Sequence, residues 1–297
     1  MKIIDTFLFS EPHEKDLLWV KFNLENDIVD RWVILESPYT FQGEYKGVHA
    51  EEVLSDSKFA PFHNKIVVIQ PPKDFQPLHG NENNEGKNFD RENTQRAMAC
   101  GLINMLDDED WVMISDTDEA VDFSDINRRY YLFNILNDVN LGIFKLKRQR
   151  YWFDFDNKCF LPNIHIPFVR AGMIKQNAQY INARHFDHIN KMEIINKPLA
   201  FEYSYCFRSF EDVWRKKCTY SHTGFTEESV RIALECNHWP RSELRGEKVG
   251  QEQFDFFEKV ELTEDNSPKF VRDNLEYLRT NIVSTNYKEN RMVRYGL

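Results

Sequence analysis

The chain has 297 residues, with 38 Lys and Arg against 48 Asp and Glu, for a formal net charge of −10. That balance argues against a general nucleic-acid surface and against a polybasic membrane contact. Hydrophobic residues at 41% and aromatics at 14% exclude a disordered chain, and a mean hydropathy of −0.60 without a long apolar run predicts no transmembrane segment.

Residues 2–9 are apolar but interrupted by Asp5, with no small-residue cleavage site, and read as a buried strand rather than a signal peptide. Asp16 to Glu25 reads as a helix with Leu17, Leu18, Phe22 and Leu24 near one face. Arg31–Glu36 and Lys65–Ile69 are short apolar strands, the second ended by Pro71-Pro72. A polar loop is expected over 71–88 and a helix over 89–106, carrying Met98, Leu102, Met105 and Leu106. An acidic turn, 107–110, precedes a strand at 111–114. Ser124 is placed to cap a helix bearing Ile126, Tyr130, Phe133 and Leu136. Aromatic-rich strands are expected over 142–153 and 159–170. Ser209 and Asp212 form a capping box, Thr226 can cap another helix, and 268–279 reads as helical. Alternating strands and helices predict one α/β domain over 1–297, with a mainly parallel central sheet flanked by helices. Cys100, Cys159, Cys206, Cys218 and Cys236 are odd in number and contain no C-x-x-C, which predicts free thiols in a cytoplasmic protein.

The most informative segment is Trp111-Val112-Met113-Ile114-Ser115-Asp116-Thr117-Asp118-Glu119. Open α/β sheets bind ligands beyond the carboxyl ends of their strands. Carboxylates two residues apart point the same way if the chain stays extended. Such hard oxygens suit Mg²⁺ or Mn²⁺, which in turn binds diphosphate oxygens. Glu119 adds a ligand or orients the pair. Acidic chains contain D-x-D by chance, and Asp108-x-Asp110 reads as a solvated turn. A buried strand before Asp116 sets the second pair apart, because those carboxylates need partners at a sheet edge.

With these residues the sequence resembles glycosyltransferase family 17, which contains the β-1,4-mannosyl-glycoprotein β-1,4-N-acetylglucosaminyltransferases and smaller bacterial and viral relatives. The resemblance runs through Asp5-Thr6-Phe7-Leu8-Phe9, Asp16-Leu17-Leu18 and Val33 to Gly43, including Glu36-Ser37 and Tyr39-Thr40-Phe41-Gln42-Gly43. It continues in Gln95-Arg96 and the D-x-D-Glu strand, and more loosely in Tyr203-Ser204-Tyr205, Phe210, Lys217, Tyr220-Ser221-His222 and Phe225. Glu202 stands where relatives often carry histidine, Ala120 and Val121 replace their isoleucine and proline, and 143–200 shows no clear match.

The resemblance implies a GT-A-like fold and an inverting, metal-dependent transfer from a nucleotide-sugar donor, UDP-GlcNAc first, to a glycan acceptor. It also implies a nucleotide-sugar-binding half, 1–123, and an acceptor-binding half, 124–297. Asp118 and Asp116 are then expected to hold the metal and donor, and Arg96 to engage the diphosphate. Glu36 binds the nucleoside or braces loop 37–47. His222 completes the metal shell or touches a phosphate, unless it is structural. Glu202 leads Asp187 and Asp212 as the base taking the acceptor proton, although each also reads as a surface or capping acid. Residues Tyr151 to Asp156 read as a sugar-stacking surface if exposed and as a core strand if not.

Two other functions fit a strand followed by D-x-D. A haloacid-dehalogenase phosphohydrolase would use the first Asp as nucleophile, but its signature opens the domain and has Thr or Val where Ala120 stands. A non-catalytic carbohydrate-binding protein would require a degenerate metal site, against the intact acidic triplet.

Overall fold

The computed structural model describes residues 1–123, 125–138, 140–159, 165–185, 193–223, 226–236, 238–240 and 254–282. Its strands are β1 (Ile3–Phe9), β2 (Arg31–Glu36), β3 (Ile66–Ile69), β4 (Trp111–Asp116), β5 (Glu119–Val121) and β6 (Ile143–Trp152). They continue with β7 (Asn157–Cys159), β8 (His165–Arg170), β9 (Glu193–Ser204), β10 (His238–Pro240) and β11 (Phe254–Lys259). The helices are α1 (Lys15–Glu25), α2 (Ala50–Leu54), α3 (Glu85–Ala97), α4 (Cys100–Ile103) and α5 (Ile126–Leu136). After these come α6 (Ala171–Gln176), α7 (Phe210–Thr219), α8 (Glu227–Cys236), α9 (Lys269–Asp273) and α10 (Leu275–Asn281).

Among the described residues one sheet runs β10-β11-β7-β6-β8-β4-β1-β2-β3, with β9 pairing β6 and β5 pairing β9. The expected α/β domain with a helix-flanked sheet is observed, but the sheet is mixed rather than mainly parallel; its contiguous parallel row is β4-β1-β2-β3. β1, β2 and β4 are buried on both faces and read as continuous apolar runs, as parallel strands do, while β3 at the edge is half-buried; Val33, Ile34, Val112 and Met113 have no exposed surface. Beyond β4 the sheet is mixed: β8 is antiparallel to β4 and to β6, while β9 is parallel to β6.

Several local differences have plain causes. The helix expected over 89–106 begins at Glu85, because the Asn84 side chain accepts from the Lys87 N–H as a cap. It also breaks near Met98 into α3 and α4. Asp125 caps α5, accepting from the Arg128 N–H; Ser124 lies outside the described residues. Ser209 and Thr226 do accept helix N–H groups at Asp212 and Ser229. Tyr151, Trp152, Phe153 and Phe155 are buried, so that segment is core, not a stacking surface. Cys100, Cys206 and Cys218 are free thiols. Among the described residues no helix is long and apolar enough to cross a membrane.

Candidate active site

Register places the acidic triplet. β4 runs parallel to β1 with Asp116 opposite Leu8, so Asp116 ends its strand at the carboxyl edge of the parallel row. Thr117 Oγ1 donates to the Leu8 carbonyl at 2.6 Å, and the chain then turns into β5, where Glu119 pairs Glu202 of β9. Beneath this turn lies the fully buried Lys21 of α1. Its ammonium donates to Ser115 Oγ at 2.9 Å and to the Glu119 carbonyl at 2.6 Å, and pairs with Asp5 and Glu25 at 2.7 and 3.2 Å. One cation thus ties both ends of the D-x-D turn to α1.

The three carboxylates differ. Asp116 retains 23% of its side-chain exposure, Asp118 8% and Glu119 1%. Asp116 pairs with Arg96 at 2.6 Å and Arg184 at 2.8 Å. Burial pushes its pKa up, but the two guanidinium groups outweigh burial and hold it well below the usual carboxylate range. Asp118 accepts from Lys216 of α7 at 2.7 Å and from Ser204 Oγ at 3.2 Å. Glu119 is gripped by Arg148 and by both Arg184 terminal nitrogens, and accepts the Asp116 N–H at 3.0 Å. Glu119 therefore orients the turn.

Arg96 is almost fully buried and donates to the Ser115 carbonyl, Glu92 and Asp116. In this arrangement it positions the first aspartate. Glu36 accepts the N–H groups of His49 and Ala50 and the Gln70 amide, so it braces the loop after β2. Gly43 in that loop has φ +92°, and a Cβ there would stand 2.6 Å from the Gly80 carbonyl oxygen, which explains glycine in the Tyr-Thr-Phe-x-Gly motif.

His222 is 44% exposed and pairs with Glu85 at 2.5 Å. Among the described residues no three His, Cys, Asp or Glu side chains converge as a metal group, so the structure does not bring His222 together with both aspartates. Asp187 lies outside the described residues. Asp212, in the first turn of α7, accepts from the hydroxyl of the capping Ser209.

Glu202 is buried between Arg148 and Arg150 at 2.9 and 2.8 Å. Burial raises its pKa, but the two arginines outweigh burial and bring it to about 2. A carboxylate held so acidic is a weak proton acceptor, and this disfavours the base role expected for it. The same shift predicts acid sensitivity. A depressed native pKa adds stability above the unfolded value of 4.5, lost as pH falls from there through about 2. Unfolding free energy should drop by about 3 kcal/mol over that window from this group. Glu202→Gln should flatten the profile, and chemical denaturation at pH 5 and pH 2.5 measures it; an unchanged slope would contradict the pairing.

Sequence reasoning missed Arg148, Arg184, Lys216 and Glu14. Lys216 bridges Asp118 and Glu14, at 2.7 and 3.3 Å. Its neighbour Lys217 was in the motif, but helical phase directs Lys216 to the aspartate. These cations also come from beyond residue 123, so the two sequence halves build one site.

Close by, at the ends of β2 and β3, is a largely apolar cavity of about 300 Å³. Tyr39, Phe41, Pro72 and Phe75 line it, with Arg91 and Gln95 of α3. Gln95 donates to the Leu35 carbonyl at 2.7 Å, one residue before the arginine that holds Asp116.

A family model described as Glycosyltransferase family 17 matches residues 1–233. The chain belongs to glycosyltransferase family 17. It is therefore a glycosyltransferase, and the phosphohydrolase and binding-protein alternatives give way to that assignment. No curated protein sequence matches it. Among solved structures it is similar to galactosyltransferase LgtC in complex with donor and acceptor sugar analogs, at 10% identity over 97% of this chain and 99% of that one, with TM-score 0.33. Glucosyl-3-phosphoglycerate synthase from Mycobacterium tuberculosis, in complex with Mn²⁺, UDP and glucosyl-3-phosphoglycerate, is similar at 12% identity over 90% of both chains, TM-score 0.35. A third is 2-C-methyl-D-erythritol 4-phosphate cytidylyltransferase from Francisella tularensis, at 12% identity over 74% of this chain and 100% of that one, TM-score 0.38. At these TM-scores the likeness is loose and carries no weight beside the family match.

Proposed function

We propose that this family 17 enzyme transfers a sugar from a UDP-sugar, UDP-GlcNAc first, to a glycan hydroxyl with inversion and with Mn²⁺ or Mg²⁺. The observation that carries the reading is the partly exposed Asp116 beside Asp118 at the carboxyl end of β4. The donor set fits a hard cation: two carboxylate groups, with no third His, Cys, Asp or Glu converging on them among the described residues, leave coordination positions for phosphate and water. When bound, such a cation neutralises charge developing on the departing diphosphate.

The chain's own residues do the remainder. Glu119, Arg96 and Arg184 hold Asp116 in one orientation, and Lys216 supplies fixed positive charge beside Asp118. The cavity at the ends of β2 and β3 receives the nucleoside, its aromatic walls covering the base and Arg91, Thr94 and Gln95 offering polar contacts. Residues 1–123 thus supply the nucleoside cavity and both aspartates, Arg184 and Lys216 brace them from the second half, and the acceptor approaches from 124–297.

The test is thermal unfolding with nucleoside diphosphates, with and without EDTA. UDP plus Mn²⁺ should raise the unfolding temperature by several degrees, and Asp118→Ala should remove the rise. No stabilisation by any nucleoside diphosphate with metal would refute the reading.

A further inference from the structure

The cavity at the ends of β2 and β3 is walled by two loops. The first follows β2 and carries Tyr39, Thr40 and Phe41; the second joins β3 to α3 and carries Phe75, Pro77 and Leu78. Over residues 71–83 the second loop has only short local turns in its backbone, such as the Phe75 N–H to the Pro72 carbonyl and the Gly80 N–H to the Pro77 carbonyl. Arg91 of α3 reaches both loops. Its Nε donates to the Leu78 carbonyl at 2.8 Å, and its Nη2 to the Gly80 and Glu82 carbonyls at 2.8 and 2.6 Å. Its Nη1 donates to the Phe41 carbonyl at 2.8 Å and to Asn88 Oδ1 at 3.0 Å.

A guanidinium has five N–H donors in one plane, and here four of them go to loop carbonyls and the fifth to Asn88. Arg91 is buried, and its neighbour Asp90 pairs with His79 instead. What Arg91 presents to the cavity is therefore its charge, while its hydrogen bonds join the walls. The junction is tight: a Cβ on Gly43 would stand 2.6 Å from the Gly80 carbonyl oxygen and 3.1 Å from Arg91 Nη2. Tyr39 and Phe75, one lining ring from each loop, have centroids 6.4 Å apart. Walls that are fixed before a ligand arrives need no ordering when it binds. We propose that Arg91 is a positioning residue for nucleoside recognition, which locks the two loops together and so sets the affinity that the nucleoside adds to the diphosphate. This assignment rests on the UDP-sugar reading above.

The experiment is calorimetric titration of the full chain in Mg²⁺ with UDP or with pyrophosphate, which offers the diphosphate without the nucleoside. Wild type should bind UDP more tightly than pyrophosphate. In Arg91→Met the UDP affinity should fall about tenfold, the cost of ordering a wall side chain on binding, with pyrophosphate affinity unchanged. Arg91→Lys keeps the charge and part of the donor set, and should recover part of the loss. Gly43→Ala forces the loops apart with the guanidinium in place. It should show the same selective loss, and it carries the test if Arg91→Met does not fold. An equal loss for both probes would mark general loosening and overturn the assignment, as would a UDP affinity indifferent to Arg91; either result leaves the donor reading standing. A wild type that binds both probes equally removes the nucleoside from this cavity and the assignment with it. A wild type that binds neither defeats the donor reading as well.

Discussion

Asp116→Asn should reduce sugar transfer on the order of 10²- to 10³-fold, the scale seen when one preorganised electrostatic contact to a developing charge is removed. Asp116 is the member of the acidic triplet with the most exposed side chain, and it ends β4 at the carboxyl edge of the parallel row. Its substitution removes charge but keeps shape. Arg96 retains Glu92 and the Ser115 carbonyl, and Arg184 retains Glu119. The fold should therefore survive while turnover collapses. Steady-state kinetics with a UDP-sugar, beside the unfolding temperature, separates the two effects; undiminished turnover would remove Asp116 from the chemistry.

Glu119→Gln should do the reverse, and cost about 3–5 kcal/mol of stability, the usual penalty for breaking a buried ion pair from one side. Glu119 is 1% exposed and faces Arg148 and Arg184. Without its charge, Arg184 still has Asp116 and Arg148 still has Glu202, but two buried guanidinium groups then share fewer carboxylates. Burial already lowers Arg148 to about 10, a sign of how poorly water reaches it. Urea denaturation of both proteins measures the difference. A loss below about 1 kcal/mol, typical of exposed pairs, would mean the array is solvated.

The parts of the site legible in the sequence are those encoded within one strand and its turn. A buried apolar run followed by D-x-D has one placement in an open α/β sheet, and β4 occupies it. The Gly43 motif was legible as a pattern, and its cause, a backbone in the left-handed region against Gly80, needed coordinates. Helix α3 was misplaced because Asn84 and Gly86 read as loop composition, while its cap is a single side-chain contact. The cations around the triplet were not legible: Arg148 lies on β6, Arg184 between α6 and β9, and Lys216 on α7, each far along the chain from Asp116. Glu202 was legible as an acid near the site, but its poor basicity depends on two arginines beside it.

From the sequence alone came the α/β architecture, the family resemblance and the position of the acidic pair, because apolar periodicity and strand-end spacing are local. Tertiary structure decided which carboxylate stays open, which is locked and which is too acidic to take a proton. Those properties follow from burial and from the charge of neighbours, and strand register together with helix docking sets both.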